Sequence, residues 1–99
     1  MVGKHIFVSG RVQGVGFRYF TNECAQEFAI KGWVRNLDDG RVEILAFGQS
    51  DELQGFLDVI RQGPPNSQVT EFETYDVEMK KQLLSFGIRR DGGPLWPEE

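Results

Sequence analysis

Lys4-His5-Ile6-Phe7-Val8-Ser9-Gly10-Arg11-Val12-Gln13-Gly14-Val15-Gly16-Phe17-Arg18-Tyr19-Phe20 changes its hydrophobic period midway, and that change decides the fold. Ile6 and Val8 share one parity, and His5, Phe7 and Ser9 the other, which predicts a strand over 4–11. Gly14 and Gly16 then stand between apolar residues, so the backbone turns sharply there. From Phe17 onward the apolar residues Phe17, Phe20, Cys24 and Phe28 recur three or four apart, one face of a helix. Gly32, after Ile30-Lys31, reads as the C-terminal stop of that helix.

The rest of the chain follows the same logic. A short strand is predicted over 33–37, a hairpin turn at Asp38-Asp39-Gly40, and a return strand over 41–48 with Val42, Ile44 and Ala46 alternating. Ser50-Asp51-Glu52 reads as a helix start, with a capping hydroxyl and two acids near the positive end of the dipole. Leu53, Phe56, Leu57 and Ile60 give that helix its apolar stripe, and Gly63-Pro64-Pro65 ends it. Residues 68–78 read as extended, with Val69, Tyr75 and Val77 on one parity. Residues 83–89 read as a last strand with Leu84, Phe86 and Ile88 inward. The order is β-α-β-β-α-β-β. Two helices on one largely antiparallel sheet of four to five strands make an α+β, ferredoxin-like two-layer sandwich built on βαββαβ.

Composition narrows the function. Ninety-nine residues support one domain, and 39% hydrophobic against 26% charged residues excludes a disordered chain. One Cys excludes an intrachain disulfide, and one His leaves few of the ligands that zinc sites draw on. A Ser-His-Asp or Cys-His mechanism has only His5 available. The N-terminus carries no apolar run of signal-peptide length, and no stretch approaches the roughly 20 apolar residues that span a bilayer. A cytoplasmic protein is expected. With a net charge of −4, neither nucleic acid nor a membrane is an expected partner. The charge is uneven: residues 1–37 carry five basic and two acidic side chains, and residues 38–99 six basic and thirteen acidic ones. The positive first third contains the glycine loop.

A glycine loop between a strand and a helix suits an anion. Free backbone N–H groups line such a loop, and the helix N-terminus adds about half a positive charge. Arg18 stands at that terminus, and a guanidinium forms two parallel hydrogen bonds to a phosphate. Neither the nucleotide P-loop pattern nor G-x-G-x-x-G is met. By spacing alone, a tight turn beside a surface Arg explains the segment equally well.

Ser9-Gly10-Arg11-Val12-Gln13-Gly14-Val15-Gly16-Phe17-Arg18 resembles the acylphosphatase signature G-x-V-Q-G-V-x-F-R. Gly32-Trp33-Val34-Arg35-Asn36, followed by Asp39-Gly40-Arg41-Val42-Glu43, resembles its second signature, G-W-V-x-N-x-x-D-G-x-V-E. Gly63-Pro64 and Phe86-Gly87-Ile88-Arg89 also fit. The resemblance covers residues 4–90 and leaves 91–99 as a C-terminal tail. It implies hydrolysis of the carboxyl–phosphate bond of an acyl phosphate to a carboxylate and inorganic phosphate, without metal or other cofactor. It places the phosphate on Gln13, Gly14, Val15, Gly16, Phe17 and Arg18. It gives Arg18 the phosphate and Asn36 the attacking water. The family's proposed route lets the substrate's own phosphate take the water's proton, which suits a chain so poor in His and Cys. A monomer inhibited by its phosphate product is expected.

Leu37 departs from the family, which often has Thr after the Asn; a hydroxyl that helps fix Asn36 is then missing. Elsewhere the structural roles prevail: His5 as a surface or satisfied polar residue, Cys24 as a buried thiol, Trp33 as core, Tyr19 as scaffold with the rim of the site as its alternative, and Arg11, Arg35 and Arg41 as surface charges, Arg11 with a field near the loop as its alternative. Gly14-Val15-Gly16-Phe17-Arg18-Tyr19-Phe20 partly imitates the RNP1 motif of RNA-binding RRM domains, but RNP1 belongs on a third strand and this segment enters a helix. Acylphosphatase-like modules also occur in larger maturation proteins that handle carbamoyl phosphate, in longer chains than this one. A non-catalytic phosphate binder is the third alternative, kept open by Leu37.

Overall fold

A computed structural model of the chain describes residues 1–79 and 82–92. The elements run β1 (Val2–Arg11), α1 (Phe17–Glu27), β2 (Lys31–Asn36), β3 (Val42–Gly48), α2 (Ser50–Gln62), β4 (Gln68–Val77) and β5 (Phe86–Ile88). They form one five-stranded sheet of order β4-β1-β3-β2-β5, antiparallel except where β5 runs parallel to β2. This is the expected ferredoxin-like α+β sandwich.

Strand alternation sends Ile6, Val8, Val34, Val42, Ile44 and Ala46 to one face of the sheet. There they meet Phe17, Cys24, Leu53, Phe56, Leu57 and Ile60 from the helices. Phe56 is wholly buried, so truncating it to Ala costs about 3–5 kcal/mol. Asp51 and Glu52 in the first turn of α2 and Arg61 in its last oppose the helix dipole. The Ser50 hydroxyl does not cap the helix: Gln49 is the N-cap residue and its side chain makes no capping bond, while Asp51 Oδ1 accepts the Glu52 N–H at 2.9 Å.

Four local expectations are corrected by packing. The first helix ends at Glu27, earlier than the Gly32 stop implies. Ala29 takes the left-handed conformation (φ 57°), and the Ile30 N–H donates back to the Ala25 carbonyl at 2.8 Å, closing the helix. Gly32 instead lies within β2 at φ 139°, where a Cβ would stand 1.8 Å from the Leu45 carbonyl oxygen. Close strand approach requires that glycine. Next, Val69, Tyr75 and Val77 do not share a face. The pairing steps from Ser9 opposite Glu71 to Gly10 opposite Val69, so Thr70 is an extra residue and the parity flips. Val69 therefore joins the main core with Phe72, while Val77 packs on the other face.

The last strand is also shorter than 83–89. Between β4 on one edge and β5 on the other lie four inter-strand gaps, about 19 Å in all. Leu84 precedes β5 and is 80% exposed, and only Phe86 of the expected inward set is buried. Met79 and Leu83 instead cover Trp33, Leu45 and Phe47 on the sheet face away from the helices. The residues of β3 are buried throughout for that reason. Residues 93–99, which hold most of the predicted tail, lie outside the described residues.

Candidate active site

The loop between β1 and α1 is pinned by apolar residues at both ends. Val12 and Phe17 are almost wholly buried, and Val15 packs against the core between them. Gly14 (φ 75°) and Gly16 (φ 81°) are exposed and left-handed, with open space where a Cβ would be. Glycine is needed here for backbone conformation, since another residue costs about 1–2 kcal/mol at such φ. Gly16 is the N-cap residue of α1, and its carbonyl accepts the Phe20 N–H at 3.0 Å. Among the described residues, no group accepts a hydrogen bond from the N–H groups of Gly14, Val15, Gly16, Phe17 or Arg18. These are the orphan donors of a helix start, joined to those of a left-handed turn.

Electrostatics favours an anion there. The first turn of α2 holds two acids, whereas that of α1 holds none. Arg18 sits instead at the positive end of the α1 dipole, where a cation is unfavourable by about 0.3–1 kcal/mol. A bound anion reverses that sign. Arg18 Nη1 donates to Asp91 Oδ1 at 3.1 Å, and its side chain is about one-third exposed.

Asn36 ends β2 on the helix-facing parity of Val34 and is 7% exposed. Among the described residues its Oδ1 is buried and has no hydrogen-bond partner, as is also true of Thr21 Oγ1 and Asn22 Oδ1. A buried acceptor left unsatisfied costs about 1–3 kcal/mol, and at the loop end of β2 the Asn36 amide oxygen has the capacity to accept a hydrogen bond from a water or ligand. The Asn36 backbone is held by β3, opposite Val42, and by the Gly92 N–H, which donates to its carbonyl at 3.1 Å. Leu37, where a hydroxyl is missing, is buried; its N–H donates to the Arg41 carbonyl at 2.8 Å. Backbone bonds thus fix the end of this strand.

The side chain of Gln13 joins the two halves of the site. Its Nε2 donates to the carbonyls of Leu37 and Arg41, both at 2.9 Å. The loop is thereby fastened to the turn that follows Asn36. Of the six expected loop residues, Gln13, Val15 and Phe17 turn their side chains to the protein and have backbone groups to offer a ligand. Gly14, Gly16 and Arg18 form the open rim.

Sequence reasoning missed two residues beside the site and one buried acceptor on the other face of the sheet. Asp91 and Gly92 fell in a segment read as tail, and no local pattern marked them. Glu43 is 1% exposed and takes bonds from Arg35 Nε (2.7 Å) and His5 Nε2 (2.6 Å) on the face away from the helices. The hairpin register that sets Arg35 opposite Glu43 was the available signal. Arg35 is therefore a largely buried charge rather than a surface one, and Tyr19, 70% exposed, fits a place on the rim better than a scaffold role. Burial raises the Cys24 thiol pKa, and the charges of Glu27 and Glu23 raise it further, so it is a poor nucleophile. A cleft of about 640 Å³ lined by Gly3, Lys4, Leu53 and Asp76 lies at the opposite end of the sheet and contains none of these residues. Among the described residues no helix is long and apolar enough to cross a membrane.

The acylphosphatase family model matches residues 4–88. An acylphosphatase of Archaeoglobus fulgidus is 49% identical over 80 residues, covering 81% of this chain and 90% of that protein. An acylphosphatase of Bacillus velezensis is 44% identical over 88 residues, covering 89% and 98%. The crystal structure of the Bacillus subtilis acylphosphatase superposes with a TM-score of 0.87 at 44% identity, over 90% of this chain and 99% of that one. Full-length HypF, in its phosphate- and nucleotide-bound form, matches with a TM-score of 0.87 at 31% identity, but this chain spans 12% of its length. The match in sequence along nearly the whole of single-domain relatives, together with the shared fold, places the chain in the acylphosphatase family, the hydrolases of the carboxyl–phosphate bond of acyl phosphates.

Proposed function

We propose that residues 4–90 carry the activity. The substrate's phosphate lies in the Gln13–Arg18 loop, Arg18 binds it, and Asn36 holds the attacking water. The observation that carries this reading is one juxtaposition: open loop amides and a guanidinium at a helix N-terminus, fastened through Gln13 to a strand that ends in a buried amide oxygen without a partner among the described residues. Phosphoryl transfer asks mainly for positioning and charge stabilisation. Loop N–H groups and Arg18 meet the charge on the equatorial oxygens. Water attached to Asn36 attacks phosphorus as the bond to the carboxylate oxygen breaks. The carboxylate is a good leaving group and needs no protein acid. The amide orients the water but is no base, and the water's proton passes to a phosphate oxygen of the substrate.

The enzyme acts as a cytoplasmic monomer without a cofactor, and inorganic phosphate competes for the loop. The test is phosphate release from acetyl and benzoyl phosphate, with ATP and a simple phosphate monoester as controls. Release from the acyl phosphates with competitive inhibition by phosphate is expected. Purely noncompetitive inhibition removes the loop as the phosphate site. Arg18→Ala should lose binding and rate together, with a rate cost of about 10²–10³ by analogy with the loss of an oxyanion donor.

A further inference from the structure

The segment after β5 continues beside β2 and reaches the backbone of Asn36 and the side chain of Arg18. The Arg89 N–H donates to the Val34 carbonyl at 2.8 Å, and Gly92 bridges to Leu37 in parallel register. The Gly92 N–H donates to the Asn36 carbonyl at 3.1 Å, and the Gly92 carbonyl accepts the Asp38 N–H at 3.2 Å. The backbone beside Asp91 is therefore fixed against the strand that carries Asn36. From that fixed point the Asp91 carboxylate takes a hydrogen bond from Arg18 Nη1. The same dipeptide thus touches Asn36 through its backbone and Arg18 through its side chain.

The side chains of Arg18 and Asp91 are 35% and 58% exposed, and a pair so wet contributes little to folding. Its effect is orientation. A free arginine at the positive end of a helix dipole is repelled toward solvent, and its many rotamers must be frozen when phosphate binds. One bond at Nη1 restrains the guanidinium and leaves its Nε–Nη2 edge for two phosphate oxygens. We infer that Asp91 is a positioning residue for Arg18, and that Asp91-Gly92 sets Arg18 and Asn36 in mutual register. The inference rests on Arg18 being the phosphate ligand.

The test uses the full chain and inorganic phosphate as the probe, titrated calorimetrically against the wild type, Asp91→Ala, Asp91→Glu and Arg18→Ala. Steady-state kinetics on benzoyl phosphate accompany it. Asp91→Ala should raise the phosphate Kd and the KM together by about two- to fivefold, the range an exposed ion pair spans. Its kcat should stay within about twofold and its Tm should not move, since the lost bond orders a side chain rather than the fold. Asp91→Glu should recover most of the affinity. High salt should narrow the gap between wild type and Asp91→Ala, because the pair is screened. Unchanged or tighter phosphate binding in Asp91→Ala, with Arg18→Ala weakened, overturns the inference alone and makes the carboxylate a bystander or a competitor. Phosphate binding undiminished in Arg18→Ala overturns the Arg18 assignment and the inference with it.

Discussion

The side-chain amide of Gln13 donates to the carbonyls of Leu37 and Arg41, and so locks the glycine loop to the hairpin turn beyond Asn36. Both carbonyls keep a second donor when Gln13 is lost: the Gly40 N–H for Leu37 and the Leu37 N–H for Arg41. Gln13→Ala should therefore cost about 1–2 kcal/mol of stability, the value of two ordinary hydrogen bonds. Gln13→Glu should cost more, because it sets a carboxylate against two carbonyl oxygens without a proton to share. Urea denaturation compares the two variants, and equal stability would show that the amide bonds do not form.

Ala29 offers a gain. It closes α1 in the left-handed conformation, is exposed, and bears a Cβ that this conformation penalises. Ala29→Gly should stabilise the protein by about 0.5–1 kcal/mol, the flexibility of the unfolded glycine offsetting part of the relief. A loss of stability in that variant would contradict the capping geometry.

Glu43 is the buried acceptor for Arg35 and His5, and its removal takes a counter-charge from a largely buried guanidinium. Glu43→Ala should cost about 3–5 kcal/mol, as breaking a buried pair from one side does. A loss below about 1 kcal/mol in urea would place the pair among weak surface bridges.

Asp39 sets the pH dependence of the hairpin. The Arg41 backbone N–H donates to its carboxylate at 3.1 Å and, as the largest cause, holds its pKa below the ordinary 3.8; the Arg41 side chain adds to the effect. A group lowered on folding stabilises fully above its unfolded value, and the contribution fades as the pH falls through the folded value. Asp39→Ala should thus be less stable than wild type by about 0.5–1 kcal/mol near neutral pH, a modest figure because the carboxylate is half exposed. The gap should close in acid below pH 3.8. A gap that persists there would assign it to the turn's shape.

The elements that period alone defines were legible. Leu53, Phe56, Leu57 and Ile60 name their own buried face, and Gly14 and Gly16 announce a turn before a helix. What needed the structure was set by distant partners. Gly32 looks like a helix stop until Leu45 is known to lie against it. Thr70 flips the parity of β4 only because Gly10 lies opposite the bulge. Leu84 is turned out because β5 starts only at Phe86, where the parallel pairing with β2 begins. At the site, the signatures marked Arg18 and Asn36. The use of Gln13 as a tie and the approach of Asp91 depend on strands adjacent in space but distant in sequence.

The central claim is the division of labour between Arg18 and Asn36. Steady-state hydrolysis of benzoyl phosphate by Asn36→Ala tests it most directly. The amide holds water rather than substrate, so kcat should fall by about 10²-fold or more while KM stays within about threefold, the pattern of an interaction made in the transition state. Activity equal to wild type, or a KM that rises while kcat holds, would contradict the account.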